Sequence, residues 1–176
     1  MRITGGTFNS RKIKTEDFEN VKPTLSKTRQ GIFNSLSSLI DFSGKSFLDM
    51  FSGSGIMSFE AYSRGFSPVF AIEKDKKTAA LIRQNFNDFK IPQNLLFGDA
   101  LRVVTRLERK FDVVFVDPPY ESDLYDKALF KIRELSLLTP EGIVVLEHPT
   151  SKVIDFQGFE VIKVKEYSDK SITFLN

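Results

Sequence analysis

The stretch "FLDMFSGSGIMSFEA", residues 47–61, decides how the chain folds. A short apolar run leads into an acid, Asp49, then a loop holding Gly53 and Gly55, then residues that suit a helix. Strand, glycine loop and helix in that order open an α/β sheet, and the glycines let a nucleotide-like ligand approach the backbone where the helix starts. The third glycine of the dinucleotide fingerprint is missing, since Ser58 stands in its place. A lone G-x-G is as often a plain tight turn, so the neighbouring sequence has to decide.

Downstream the text alternates. Strand-like runs "KSFLDMF", "PVFAIEK", "NLLFGD", "FDVVFVD" and "GIVVLEH" are separated by helical stretches, one of which puts Thr78, Ile82, Asn85, Phe86 and Phe89 on a single stripe. Short apolar strands between helices predict a mostly parallel sheet covered on both faces. The end, "FEVIKVKEYSDKSITFLN", breaks the rhythm and reads as a closing antiparallel hairpin around "SDKS". Upstream, "KPTLSKTRQGIFNSLSSLI" predicts a helix with Ile32, Phe33, Leu36, Leu39 and Ile40 on one face, started by Pro23 and Thr24. Before it, "RITGGTFNSRKIKT" reads as two short strands around a turn, a β-hairpin extension over residues 1–20 of a main domain over 21–176.

Composition narrows the chemistry. The 176 residues suit one domain. No apolar run nears the roughly 20 residues that span a bilayer, and the first ten residues lack a signal-peptide core; the expectation is a cytoplasmic protein without membrane contact. Cysteine is absent and His148 is the one histidine. Disulfides, thiolate nucleophiles, Ser-His triads and Cys/His metal sites are thereby disfavoured, and no metal is expected. Charge is uneven. Residues 1–30 hold seven Lys/Arg against three Asp/Glu, a net of +4, while residues 31–176 hold 18 against 20. A basic arm on a near-neutral body suits a polyanionic partner, although a solvated charged terminus would look the same.

Three strand ends share one predicted edge. The glycine loop follows the first, Glu73 ends the second, and Asp99 of "FGDA" ends the third. Glu73 is placed to accept from ribose hydroxyls and Asp99 from an adenine amine, though Asp99 also suits the cap of the helix after it. NAD and S-adenosylmethionine both fit such a site. "FDVVFVDPPY", residues 111–120, separates them. A carboxylate from Asp117 and a carbonyl from Pro118, held extended by the following proline, can both accept N–H bonds from an exocyclic base amine. That favours a tetrahedral nitrogen ready to take a methyl group. Tyr120 is placed to stack on the base. A Pro-Pro turn closing a strand is the plainer alternative for these residues.

On these residues the chain resembles the class I S-adenosylmethionine-dependent methyltransferases, and within them the RsmD-type guanine-N2 methyltransferases of small-subunit ribosomal RNA. "MRITGGTFNSRKI" resembles the family's N-terminal hairpin, "KPTLSKTRQGIFNSL" its R-P-T-x-x-R-x-R-E-x-L-F-N stretch, "LDMFSGSG" its glycine loop, "AIEKD" its ribose acid, "GDA" its adenine-side motif, and "VDPPY" its catalytic motif, followed by "VVLEH". The resemblance implies a Rossmann-like fold with a seven-stranded sheet. It implies a cofactor set of Asp49, Phe51, Gly53, Ser54, Gly55, Glu73, Lys74, Asp99 and Ala100, and a catalytic set of Asp117, Pro118 and Tyr120. It also implies that Arg2, Arg11, Lys12, Lys14, Lys22, Lys27 and Arg29 contact RNA. Lys22 and Lys27 replace arginines of the family pattern and Gln30 an acid, and lysine keeps the charge but loses the bidentate fork. The implied activity is methyl transfer from S-adenosylmethionine to guanine N2 in ribosomal RNA, within the small subunit or an assembly intermediate; apart from the resemblance, a monomer is expected. A DNA adenine-N6 methyltransferase would share the whole site; a non-catalytic RNA-binding module and a nicotinamide dehydrogenase are the other readings. His148 is expected to pack or to orient a loop rather than to touch substrate.

Overall fold

The computed structural model describes residues 1–15, 26–120 and 123–176. The helix start signals Pro23 and Thr24 and the basic residue Lys22 lie outside them. Seven strands form one sheet in the order β3-β2-β1-β4-β5-β7-β6. They are β1 (Phe47–Asp49), β2 (Val69–Glu73), β3 (Leu95–Phe97), β4 (Phe111–Val116), β5 (Leu138–Pro149), β6 (Val161–Tyr167) and β7 (Lys170–Leu175). The first five are parallel, whereas β7 runs antiparallel between β5 and β6.

Strand periodicity builds two cores from this one sheet. Phe47, Val113, Phe115, Ile143, Val145, Ile172 and Phe174 point to one face, packing with α1 (Ser26–Leu36), α2 (Ile56–Ser63) and α3 (Lys76–Phe89). Leu48, Val114, Val116, Val144, Leu146 and Leu175 point to the other, under α4 (Ala100–Val103) and α5 (Leu124–Glu134). Neighbouring residues of one strand therefore serve opposite cores, as a pleated ribbon requires. The predicted stripe of α3 is buried at every position, and Asp75 caps the helix by accepting from the Thr78 N–H at 2.8 Å.

One expectation about the elements needs correction. The first predicted helix stops at Leu36, so Leu39 lies beyond it and is 38% exposed rather than on the buried face. The chain turns away there through Ser38 and Leu39 N–H bonds to Ser35 and Leu36 carbonyls. The N-terminal segment folds back on itself, with Arg2 bridged antiparallel to Lys12, Ile3 N donating to the Arg11 carbonyl at 3.0 Å and Ile13 N to the Met1 carbonyl at 2.9 Å. It packs against the domain, because Ile3 and Ile13 are 1% and 0% exposed and belong to the first core.

Polar bonds stitch the same segment down. Thr7 N donates to the Ser63 carbonyl at 2.7 Å, Phe8 N to Ser63 Oγ at 2.8 Å, and Lys14 exchanges two bonds with the Asn85 side chain. Glu60, fully buried on α2, gathers the rest. It accepts from Thr4 N and Oγ1 at 2.9 Å each, from Arg29 Nε at 3.1 Å, and from Arg64. Arg29 Nη2 also reaches the Arg2 carbonyl at 2.8 Å. The expectation that Arg29 contacts RNA is thereby corrected: the side chain is 3% exposed and its guanidinium joins three segments inside the protein. A buried charge of this kind needs its partners, so the site belongs to the fold.

Candidate active site

Every strand that could contribute a polar group to the cleft does so at one edge. Asp49 closes β1, Glu73 closes β2, Asp99 follows β3, Asp117 follows β4, and Glu147 sits in β5 beside the next register position after the Val116–Leu146 pair. Because β7 runs the opposite way, its first residue, Lys170, arrives at this same edge.

The glycine loop is built around Asp49. Asp49 is 1% exposed; its Oδ2 accepts from Ser58 Oγ at 2.8 Å and Ser58 N at 3.2 Å, while Oδ1 is buried and has no hydrogen-bond partner. Burial lifts its pKa from the ordinary 3.8 to about 7, opposed by the two Ser58 bonds. Ser58, the residue that breaks the dinucleotide fingerprint, thus orients this carboxyl. Gly53 has a φ of 49° and open space where a Cβ would stand, so a ligand can lie against its backbone. Gly55, with a φ of 77°, starts α2 without a side-chain cap. Ser54 and Phe51 are half-buried at the loop rim.

Glu73 is half-buried, and burial raises its pKa against opposing N–H bonds from Asp75, Gly53 and Lys74. The Asp75 N–H reaches its Oε1 at 2.7 Å. Asp99 does cap α4, accepting from Arg102 N at 3.1 Å, yet it stays exposed, with Ala100 buried next to it. Lys74 is exposed beside Glu73.

Asp117, like Asp49 and Glu73, holds its proton more tightly than a free carboxyl. Its side chain is half-buried. Burial holds its pKa well above the usual carboxylate range, the Glu147 and Asp49 charges push the same way, and Lys170 opposes them. Tyr120, 40% exposed, donates its hydroxyl proton to Glu147 Oε1 at 3.2 Å. Lys170 donates to the same oxygen. Glu147 and Lys170 are 1% and 8% exposed. The ring of Tyr120 is therefore fixed from behind by a buried ion pair. Pro118 is buried and Pro119 exposed.

Sequence reasoning did not single out Ser58, Glu147 or Lys170 as site residues. Glu147 carried a signal, an acid at the end of an apolar strand as at Asp117; Lys170, inside a turn-like "SDKS", carried none. His148 binds inward: Nε2 lies 2.9 Å from Thr173 Oγ1 and Nδ1 lies 3.0 Å from the Pro149 carbonyl, and burial lowers its pKa. Of the basic residues named for RNA, Arg2, Arg11, Lys12, Lys14 and Lys27 are exposed. Lys14 pairs with Asp88 at 2.7 Å, and the Arg11 guanidinium lies 3.9 Å from the Phe89 ring centroid. Among the described residues no group of three or more His, Cys, Asp or Glu is arranged to hold a metal ion, and no helix is long and apolar enough to cross a membrane.

Five parallel strands with an antiparallel β7 slotted between β5 and β6, helices on both faces and a glycine loop after β1 make this a Rossmann-like class I methyltransferase fold. Solved structures agree with it. An Escherichia coli protein, yhhF, superposes with a TM-score of 0.86 at 22% identity, covering 99% of this chain and 96% of that one. A Haemophilus influenzae structure gives 0.82 at 26% identity, covering 99% and 97%. A family model described as "Conserved hypothetical protein 95" matches residues 1–176. The chain belongs to that family, the RsmD-type methyltransferases. One relative, the Haemophilus influenzae protein named "Ribosomal RNA small subunit methyltransferase D", is 29% identical over 171 residues, 94% of this chain and 88% of its own.

Proposed function

We propose that the protein transfers a methyl group from S-adenosylmethionine to the exocyclic N2 amine of a guanine in small-subunit ribosomal RNA. One observation carries the reading: Asp117, whose pKa burial and the Glu147 and Asp49 charges raise, follows β4 at the edge where Asp49 keeps a buried oxygen without a partner and Tyr120 is anchored on Glu147. The relative named as a small-subunit rRNA methyltransferase supports the substrate class.

The residues present fit the cofactor. The free Asp49 Oδ1 is an acceptor for an amino-acid ammonium, and the open face of Gly53 leaves room for the chain that bears it. Glu73 accepts from the ribose hydroxyls, and Asp99 with Ala100 borders the adenine. When bound, the cofactor supplies an electrophilic methyl carbon on a sulfonium and departs as a neutral thioether. Asp117 and the Pro118 carbonyl each accept one N–H of the target amine, which directs the nitrogen lone pair away from the ring. As the nitrogen gains its methyl it becomes cationic, and Asp117 takes up the proton. A carboxyl with a raised pKa is a good proton acceptor once ionised, and the cationic cofactor beside it favours that ionisation. Tyr120 stacks on the base. Since the amine must be presented edge-on, the target is an unpaired or flipped nucleotide.

The test uses labelled cofactor with purified small ribosomal subunits, deproteinised ribosomal RNA and duplex DNA in parallel, followed by nucleoside analysis. N2-methylguanosine in the subunit arm is the expected result. Label in adenine of duplex DNA alone would replace this reading with the DNA methyltransferase, and no label in any arm would leave a non-catalytic RNA-binding module.

A further inference from the structure

Tyr120 carries a hydroxyl that stacking on a base does not need, since a phenylalanine presents the same ring face. The residue is 40% exposed, yet that hydroxyl turns back into the protein and donates to Glu147 Oε1 at 3.2 Å. Glu147 is 1% exposed, and Lys170 Nζ donates to the same oxygen. Sheet register brings the two charges together. Lys170 opposes Pro149 across the β5–β7 ladder, two residues beyond Glu147, so both side chains leave the sheet on one face. Stability alone gives little reason for a buried lysine there, because an apolar pair of similar size serves a fold as well or better.

We infer that Lys170 is a positioning residue, which acts through Glu147 to hold the Tyr120 ring where the target base stacks. That role rests on the proposed stacking by Tyr120. An exposed aromatic side chain without an anchor exchanges between rotamers, and an arriving base must then order it. Bonding the hydroxyl to a buried carboxylate orders the ring beforehand, and a charged acceptor makes the bond stronger than a neutral one would. The carboxylate in turn depends on its cation. Without Lys170, burial drives Glu147 toward its neutral form, which accepts more weakly. The β6–β7 hairpin thus reaches the stacking platform through two contacts, Lys170 to Glu147 and Glu147 to Tyr120.

Lys170→Met and Tyr120→Phe, made singly and together in the full chain, test this. With 3-fluorotyrosine at the four tyrosine positions, the Tyr120 fluorine resonance is the one that disappears in Tyr120→Phe. In Lys170→Met that resonance moves toward the position of the free amino acid, while the Tyr62 resonance, assigned in the same way, stays. Turnover with the small subunit falls about tenfold in each single variant. The double variant falls no further, because both changes release the same ring. Cofactor affinity measured by calorimetry is unchanged in all three. An unmoved Tyr120 resonance in Lys170→Met, or losses that multiply to about a hundredfold in the double variant, would overturn the inference. Should Lys170→Met not fold, Lys170→Met combined with Glu147→Gln removes both charges together and carries the same comparisons. If the parent protein methylates no RNA, the proposed function fails, yet the fluorine shift still decides whether Lys170 holds Tyr120.

Discussion

At the scale of single residues, the cleft is a place where carboxylates hold their protons more tightly than in water. Asp49 shows the consequence for stability. Its folded pKa, about 7, lies above that of an unfolded chain, so the folded protein binds the extra proton. The stability this confers is complete below about pH 4 and is lost as pH rises through about 7, a change on the order of 4 kcal/mol. Thermal melts of the ligand-free protein should therefore fall between pH 5 and pH 8, and Asp49→Asn should flatten that slope. Cofactor affinity should run the other way and strengthen over the same interval, because an ammonium needs the ionised carboxyl; calorimetry across that range checks it. Asp117→Asn keeps the shape but accepts less strongly and takes no proton. Turnover should drop about 10²–10³-fold with cofactor affinity little changed. Equal loss of both would place Asp117 in cofactor binding.

At the scale of elements, two features could not be read from local sequence. The apolar runs, the glycine loop and the acid before two prolines were legible, since each is a short pattern whose meaning depends on neighbours within a few residues. The burial of Arg29 was not, because an arginine on a helix next to Thr28 and Gln30 reads as surface until Glu60, 31 residues on, is known to lie beneath it. Leu39 failed in the opposite sense: its spacing continued a helical stripe after the helix itself had ended at Leu36. The candidate site edge shows the same division. Asp117 and Glu73 announce themselves at strand ends, whereas Lys170 joins them only through the antiparallel course of β7. The Glu60 knot is also testable. Glu60→Ala leaves Arg29 buried without its carboxylate, and the loss should be about 3–5 kcal/mol in denaturant unfolding. Amide exchange at residues 1–15 should rise most, since Thr4 loses two bonds in the same step.

At the scale of the whole molecule, the N-terminal segment and the glycine loop share a helix. Gly55 begins α2, and Glu60 and Ser63 on that helix hold the segment that carries Arg2, Arg11 and Lys12. The proposed RNA contact therefore rests on a rigid mount rather than a free arm. Replacing Arg2, Lys12 and Lys27 together with glutamine should weaken binding to small subunits and reduce the slope of log affinity against log salt by roughly 2–3. Cofactor binding should not change. An unaltered slope would move the RNA contact to another face.

The position of β7 has a consequence for how the protein comes into being. β6 precedes it in the chain but is bonded to the sheet through β7 alone among the strands. Two residues, 168 and 169, join the strands, so the hairpin is expected to form locally and add to β5 as a pair, bringing with it the cation that anchors Glu147 and Tyr120. Maturation of the pocket and closure of the fold are then expected to coincide. In refolding experiments, methylating activity should reappear in step with the last structural phase, with no half-built species that is already competent.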